Sequence, residues 1–175
     1  MEENIKKIKS MIRDVADFPK KGILFRDITT ALKDAETLKI MVDELYEIFK
    51  DEKIDYIAGI ESRGFIFGMP LAYKLNCGFI PVRKPKKLPC ETISQEYSLE
   101  YGTDKIEIHK DALKKGDKVL IVDDLLATGG TAQAAVKLIN QVAETIGIAF
   151  VIELEDLKGR EKLPKDIKIV SLAKY

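Results

Sequence analysis

The chain has 175 residues, a third of them charged, with 29 Lys and Arg against 29 Asp and Glu. That balance leaves no overall field to draw the molecule to nucleic acid or to an anionic membrane. One histidine and two cysteines (His109, Cys77 and Cys90) leave little for a histidine-rich metal site, a disulfide framework or a serine-type triad.

The length fits a single domain over residues 1–175 with a substantial core. The opening MEENIKKIKS is charged from its second residue and lacks the apolar core of a signal peptide. The most apolar run, 64–73, is too short to span a bilayer and carries Gly68 and Pro70. A soluble, cytoplasmic protein is expected.

In chain order, Ile5, Ile8, Ile12 and Val15 recur at helical spacing and predict an amphipathic helix ending near Asp14. An irregular Pro/Gly-containing stretch follows, then Ile23-Leu24-Phe25-Arg26. Asp34 is placed to cap a helix with Leu38, Met41, Val42, Leu45, Ile48 and Phe49 on its apolar face. The run 54–60 reads as a short strand, with the loop Glu61-Ser62-Arg63-Gly64 at its end. A helix over about 65–75 and a strand at 78–82 come next. The segment 83–101 has two prolines and no sustained period before Tyr97, and a connection of that length suggests a lid. Alternation from Lys105 to His109 predicts a strand with one exposed face, on which His109 is structural.

Val119-Leu120-Ile121-Val122 is apolar throughout and β-branched, as a strand buried on both faces of a parallel sheet is. Asp123 and Asp124 stand where that strand should end. Ala127-Thr128-Gly129-Gly130-Thr131 then leads into a helix expected over 132–143. Strand, small-residue loop and helix in this order make a βα unit whose amides bind phosphate without a basic side chain. It is neither a P-loop nor a dinucleotide fingerprint, because no Lys-Ser/Thr pair follows Gly130 and the glycines are only two and adjacent. The acids would repel a phosphate, so they should face sugar hydroxyls or a divalent cation. A 5-phosphosugar with a free 2,3-diol satisfies both halves. Strands expected at 147–154 and 167–172 close an α/β fold, a mainly parallel twisted sheet flanked by helices.

Other side chains join this picture by position. Arg63 can present a fork to a pyrophosphate, with Gly64 permitting close backbone approach. Arg83, Lys84, Lys86 and Lys87 concentrate charge at the root of the lid. Glu91, Glu96 and Glu100 are all acid/base candidates there, and spacing does not choose among them.

VLIVDDLLATGGT resembles the phosphoribosyl pyrophosphate motif of the type I phosphoribosyltransferases. Its wording, with DFPKKGILFRDIT, IDYIAGIESRGFIFG, and RKPKKLP with EYSLEYGT in that order, is similar to the adenine phosphoribosyltransferases. Hypoxanthine, orotate and xanthine enzymes share the last motif but not the wording of the others. Two departures stand out: Cys90 occupies a flap position expected to be small or basic, and no glycine precedes the strand near 147.

The resemblance implies a small N-terminal hood (about 1–33), a flexible flap (about 83–104) and a homodimer. It implies transfer of 5-phosphoribosyl from phosphoribosyl pyrophosphate to adenine, giving AMP and pyrophosphate, with Mg²⁺ required. Ala127, Thr128, Gly129, Gly130 and Thr131 are then expected on the 5-phosphate, and Asp123 and Asp124 on the ribose diol, directly or through Mg²⁺. Ser62 and Arg63 are expected on the pyrophosphate, in a loop with a non-proline cis peptide, joined by Lys87 and by Arg83, from its own or a partner subunit. Adenine is expected between Phe25 and Leu125, read by backbone around Leu24 and Arg26. Glu100 is the implied acid/base with Tyr101 beside it, and Glu100, Arg63 and Lys87 form the catalytic set. A non-catalytic phosphoribosyl-pyrophosphate-binding regulator and a 6-oxopurine transferase are the competing readings. The first lacks room for a DNA-binding module, and the second lacks a clear hood lysine.

Overall fold

The computed structural model describes residues 1–99 and 102–175. Five parallel strands, β3 (Tyr56–Ile60), β4 (Gly78–Val82), β7 (Lys118–Leu126), β8 (Glu144–Glu153) and β9 (Lys168–Lys174), form the central sheet in the order β4-β3-β7-β8-β9. β7 lies in the middle because its residues are apolar toward both sides. Val119 and Ile121 enter the core on the face covered by α5 (Gly130–Ile139), with Ala135, Leu138 and Ile139. Leu120 and Val122 enter the opposite core, with Ile8 of α1 (Glu2–Met11), Met41 and Leu45 of α3 (Ala35–Phe49), and Phe67 and Leu71 of α4 (Gly64–Leu75). A strand buried on both faces cannot carry a polar period.

Two antiparallel pairs complete the fold: β1 (Arg13–Ala16) with β2 (Leu24–Asp27), and β5 (Thr92–Leu99) with β6 (Gly102–His109). The short α2 (Thr29–Lys33) follows β2. No helix among the described residues is long and apolar enough to cross a membrane.

Several boundaries differ from the sequence reading. The first helix stops at Met11, because Ile12 turns extended and Val15 enters β1. The segment 92–99, where the sequence shows no period before Tyr97, is a strand held by pairing with β6. β6 is not half exposed at its end: Glu107 is buried, its backbone exchanging hydrogen bonds with Arg83 and its carboxylate meeting Lys105. β7 runs on through Leu126, so the two acids lie inside the strand rather than after it. α5 ends at Ile139, not near 143. Asn140 Oδ1 there accepts the Thr145 N–H at 2.9 Å, closing the turn without a glycine. Asp34 caps α3 as expected, accepting from the Thr37 N–H at 2.8 Å.

The strand order fixes where a ligand can sit. From β3 the chain moves outward to β4, and from β7 it moves the other way to β8. The loops leaving the carboxyl ends of β3 and β7 therefore diverge and open a crevice between them.

Candidate active site

Each wall of that crevice is built from its strand upward. On the β3 side, the Glu61–Ser62 peptide is cis, and the chain enters α4 at Gly64. A methyl group at Gly64 would lie 2.5 Å from the Val122 carbonyl oxygen and 3.3 Å from Asp123 Cα. Only glycine lets this loop lie directly against β7, and that approach brings Arg63 to the acids. Arg63 Nε sits 2.7 Å from Asp124 Oδ2; the arginine side chain stays 44% exposed while the aspartate is buried. Ser62 is exposed beside it.

Asp123 Oδ1 accepts the Asp124 N–H at 2.9 Å. Burial pushes the Asp123 carboxyl well above the usual carboxylate range, and the adjacent Asp124 charge adds to this. Burial also raises Asp124, against the opposing pull of the Arg63 guanidinium. Two acids with one guanidinium between them make a pair ready to take a proton, hydroxyl donors or a cation.

On the β7 side, Thr128 is exposed, Ala127 and Thr131 are half-buried, and Gly129 is buried with φ +79° as the N-cap of α5. That left-handed turn aims the following amides outward over the helix N-terminus, where no acidic side chain competes in the first turn. The ring of Tyr97 packs against Gly130, and its hydroxyl meets both Thr131 and Asp104, the latter at 3.1 Å. Lys84 Nζ is 3.3 Å from the same Asp104 carboxylate.

The basic run is tied to the β3 loop. Glu61 Oε2 accepts from Arg83 Nε and from the Lys84 N–H, each at 2.9 Å. The Glu61 carboxyl lies below its ordinary range, first because of Arg83, with Lys87 a further positive neighbour. Arg83 is thus engaged within its own chain.

The N-terminal pair β1–β2 reaches the same sheet edge. Arg26 bonds Asp14 and stacks its guanidinium on the Tyr175 ring, 4.0 Å from the centroid; the Tyr175 N–H donates to the Glu153 carbonyl at 2.9 Å. Phe25 meets Phe18 edge-on at 5.1 Å between centroids, and Leu24 is exposed. Leu125 packs on the cluster that holds Ile28 and Ala31 below this hairpin.

The structure therefore brings together Ser62, Arg63, Asp123, Asp124 and residues 127–131 around one crevice, with Arg83 and Lys87 at its rim. Leu125 packs on the neighbouring core, whereas Phe25 is half-buried on the hairpin against Phe18. Glu100 and Tyr101 lie outside the described residues. Cys90 is exposed, apart from this crevice. Among the described residues no group of three or more His, Cys, Asp or Glu is placed to hold a metal ion. A pair of carboxylates is still the donor set for Mg²⁺, which takes one or two protein oxygens and fills its shell from substrate and water.

Sequence reasoning missed three parts. Glu61 gathers the basic run, Tyr97 meets the glycine loop, and Gly159 packs under that loop. Only the third carried a local signal, a glycine in the connection between the strands expected at 147–154 and 167–172.

A family model for the phosphoribosyl transferase domain matches residues 29–174. The adenine phosphoribosyltransferase of Halothermothrix orenii is 60% identical over 157 residues, covering 89% of this chain and 92% of the relative. That of a Cyanothece strain is 59% identical over 169 residues, covering 96% and 99%. Among solved structures, the adenine phosphoribosyltransferase of Thermoanaerobacter pseudethanolicus superposes with a TM-score of 0.93 at 53% identity, covering 98% of this chain and 99% of that one. The Saccharomyces cerevisiae enzyme, complexed with an iminoaltritol bisphosphate and adenine, gives 0.92 at 42% identity over 98% and 99%.

Proposed function

The chain belongs to the adenine phosphoribosyltransferase family, and from that premise we propose how its crevice carries out the reaction. The reaction is transfer of the 5-phosphoribosyl group from phosphoribosyl pyrophosphate to adenine, giving AMP and pyrophosphate in purine salvage. The observation that carries the residue assignment is the Asp123–Asp124 pair, set between Arg63 and a glycine loop at the switch in strand order.

In this reading the amides of 127–131 and the hydroxyls of Thr128 and Thr131 hold the 5-phosphate. Asp123 and Asp124 take the ribose diol. The phosphate and diol of the donor are thereby fixed along one strand-and-loop segment, with C1 suspended over the crevice. Ser62, Arg63, Lys87 and Arg83 receive the pyrophosphate. Cleavage of C1–O leaves negative charge on the pyrophosphate, and preorganised cations stabilise it most in the transition state. Arg63 changes partner in the process, because Asp124 turns to the sugar as pyrophosphate arrives. Mg²⁺ would be held by donor oxygens with Asp123 or Asp124, and supplies charge neutralisation for the leaving group.

Adenine sits between Phe25 and Leu125, read by the backbone of Leu24 and Arg26. A ring nitrogen of adenine bonds C1 as the C1–O bond breaks, and the proton on that nitrogen goes to a base. Glu100, with Tyr101 beside it, is assigned that role from the sequence. Residues 1–33 act as the hood and 83–104 as the flap of one domain, in a cytoplasmic enzyme.

A homodimer is supported by α4, which leaves Ile66, Met69 and Tyr73 exposed along one face, Tyr73 by 87%. These residues recur at helical spacing, and an apolar stripe on the helix that begins at Gly64 would set a second subunit beside the pyrophosphate loop.

The test is to incubate the protein with phosphoribosyl pyrophosphate, Mg²⁺ and each purine in turn. AMP formed from adenine alone is expected. IMP or GMP would make it an oxopurine transferase, and binding without turnover would make it a regulator.

A further inference from the structure

A short turn behind the glycine loop carries more than its sequence suggests. Gly159 and the loop interlock backbone to backbone. A methyl group on Gly159 would fall inside the van der Waals envelope of the Ala127 carbonyl oxygen and 2.9 Å from the Gly129 nitrogen. One on Gly129 would meet the Gly159 carbonyl carbon at 2.9 Å in turn. The loop thus rests on the floor that Gly159 provides.

That floor is itself pinned. Glu153, only 4% exposed at the end of β8, receives both arms of the Arg160 fork, Nε at 2.9 Å and Nη2 at 2.5 Å. Arg160 Nη1 donates to the Ile169 carbonyl at 3.0 Å and Nη2 to Ser171 Oγ at 3.2 Å, both on β9. Two residues on, the Lys162 carbonyl accepts from Gln133 of α5 at 3.0 Å, and Leu163 is buried in the core. Bidentate pairing of a buried carboxylate fixes a guanidinium in orientation as well as position.

We infer that Gly159 and Arg160 are positioning residues for the donor's 5-phosphate: the Glu153–Arg160 fork holds Gly159 against Ala127 and Gly129, and so sets the direction of the loop amides. The inference rests on the assignment of residues 127–131 to that phosphate. Neither residue touches substrate. A displacement of about 1 Å at a binding loop costs up to roughly a hundredfold, whereas the adenine side of the crevice meets the fork only through the Glu153 backbone, which accepts from Tyr175 beneath Arg26.

The test uses ribose 5-phosphate as the probe in calorimetry, alongside KM for phosphoribosyl pyrophosphate and for adenine. Gly159→Ala is expected to weaken ribose 5-phosphate and raise KM for the donor by about ten- to a hundredfold, and Arg160→Lys, which loses the fork, by about three- to tenfold. KM for adenine should stay within about twofold in both. A general loss of folded protein would lower kcat and leave both KM values alone. If Gly159→Ala fails to fold, Arg160→Lys decides. Thr131→Ala separates the two ways of being wrong. Weakened binding in Thr131→Ala with unaltered binding in folded Gly159→Ala and Arg160→Lys overturns the positioning role alone. Unaltered binding in all three overturns the phosphate assignment, and the inference with it.

Discussion

The two halves of the site are anchored differently. The β7–α5 half is embedded: Val119 to Val122 are fully buried, and the glycine loop has backbone packed beneath it. The β1–β2 hairpin leans on the sheet through a polar contact, Arg26 on Tyr175. The β5–β6 pair lies between the two cases: Ile106 and Ile108 are buried in the core, while its outer part is held by Tyr97 on Thr131 and Lys84 on Asp104. The division matches the chemistry. A phosphosugar donor needs a rigid bed that places C1, since orientation contributes most when the geometry is fixed beforehand. A base that enters and a nucleotide that leaves need elements that open at small cost.

Substitutions can break this contrast, and the largest effect belongs to the loop after β3, whose arginine rests on the embedded half. Arg63→Ala should lower kcat by about 10²–10³-fold, as loss of one charge-stabilising donor does; steady-state rates near wild type would remove Arg63 from the leaving-group site. Ile121→Ala, under the donor bed, should cost about 2–5 kcal/mol in denaturant unfolding. Gly64→Ala should destabilise by about 1–3 kcal/mol despite alanine's helix propensity, because its methyl meets backbone rather than a yielding side chain. Tyr97→Phe tests the loosely held half, and should cost only about 0.5–1.5 kcal/mol. A larger loss there would mean that the β5–β6 pair is as integral as the sheet.

The smallest effect is one of pH. Asp27 of the N-terminal hairpin titrates at about 2 rather than 3.8, first through the Thr29 hydroxyl, then the Thr29 N–H and Arg13. A carboxyl depressed on folding contributes stability above its unfolded value and loses it as pH falls through the folded one. Unfolding curves between pH 4 and 2 should therefore slope downward in the parent protein. Asp27→Asn should make that slope shallower, the rest belonging to other depressed carboxyls such as Asp104 and Glu61; an unchanged slope would remove Asp27 from the acid sensitivity.

How much of this was legible depended on the range of the interactions. β7, the glycine loop and the Asp34 cap were readable because strand burial, turn conformation and capping are each decided within a few residues. Arg63 was readable as a site residue through Gly64, although its partner Asp124 lies about sixty positions away. The Glu153–Arg160 fork was not, although its partners stand only seven positions apart, since a glutamate at a strand end looks like any surface acid until the turn between them folds back. The strand 92–99 was hidden because pairing with β6, not its own apolar period, makes it a strand.

The most direct measurement is a crystal structure of the protein with phosphoribosyl pyrophosphate and Mg²⁺ bound. The 5-phosphate is predicted on the amides of 127–131, the diol against Asp123 and Asp124, and Arg63 moved from Asp124 to the pyrophosphate. A donor bound elsewhere, with the Arg63–Asp124 pair intact and the glycine loop facing only solvent, would contradict the account.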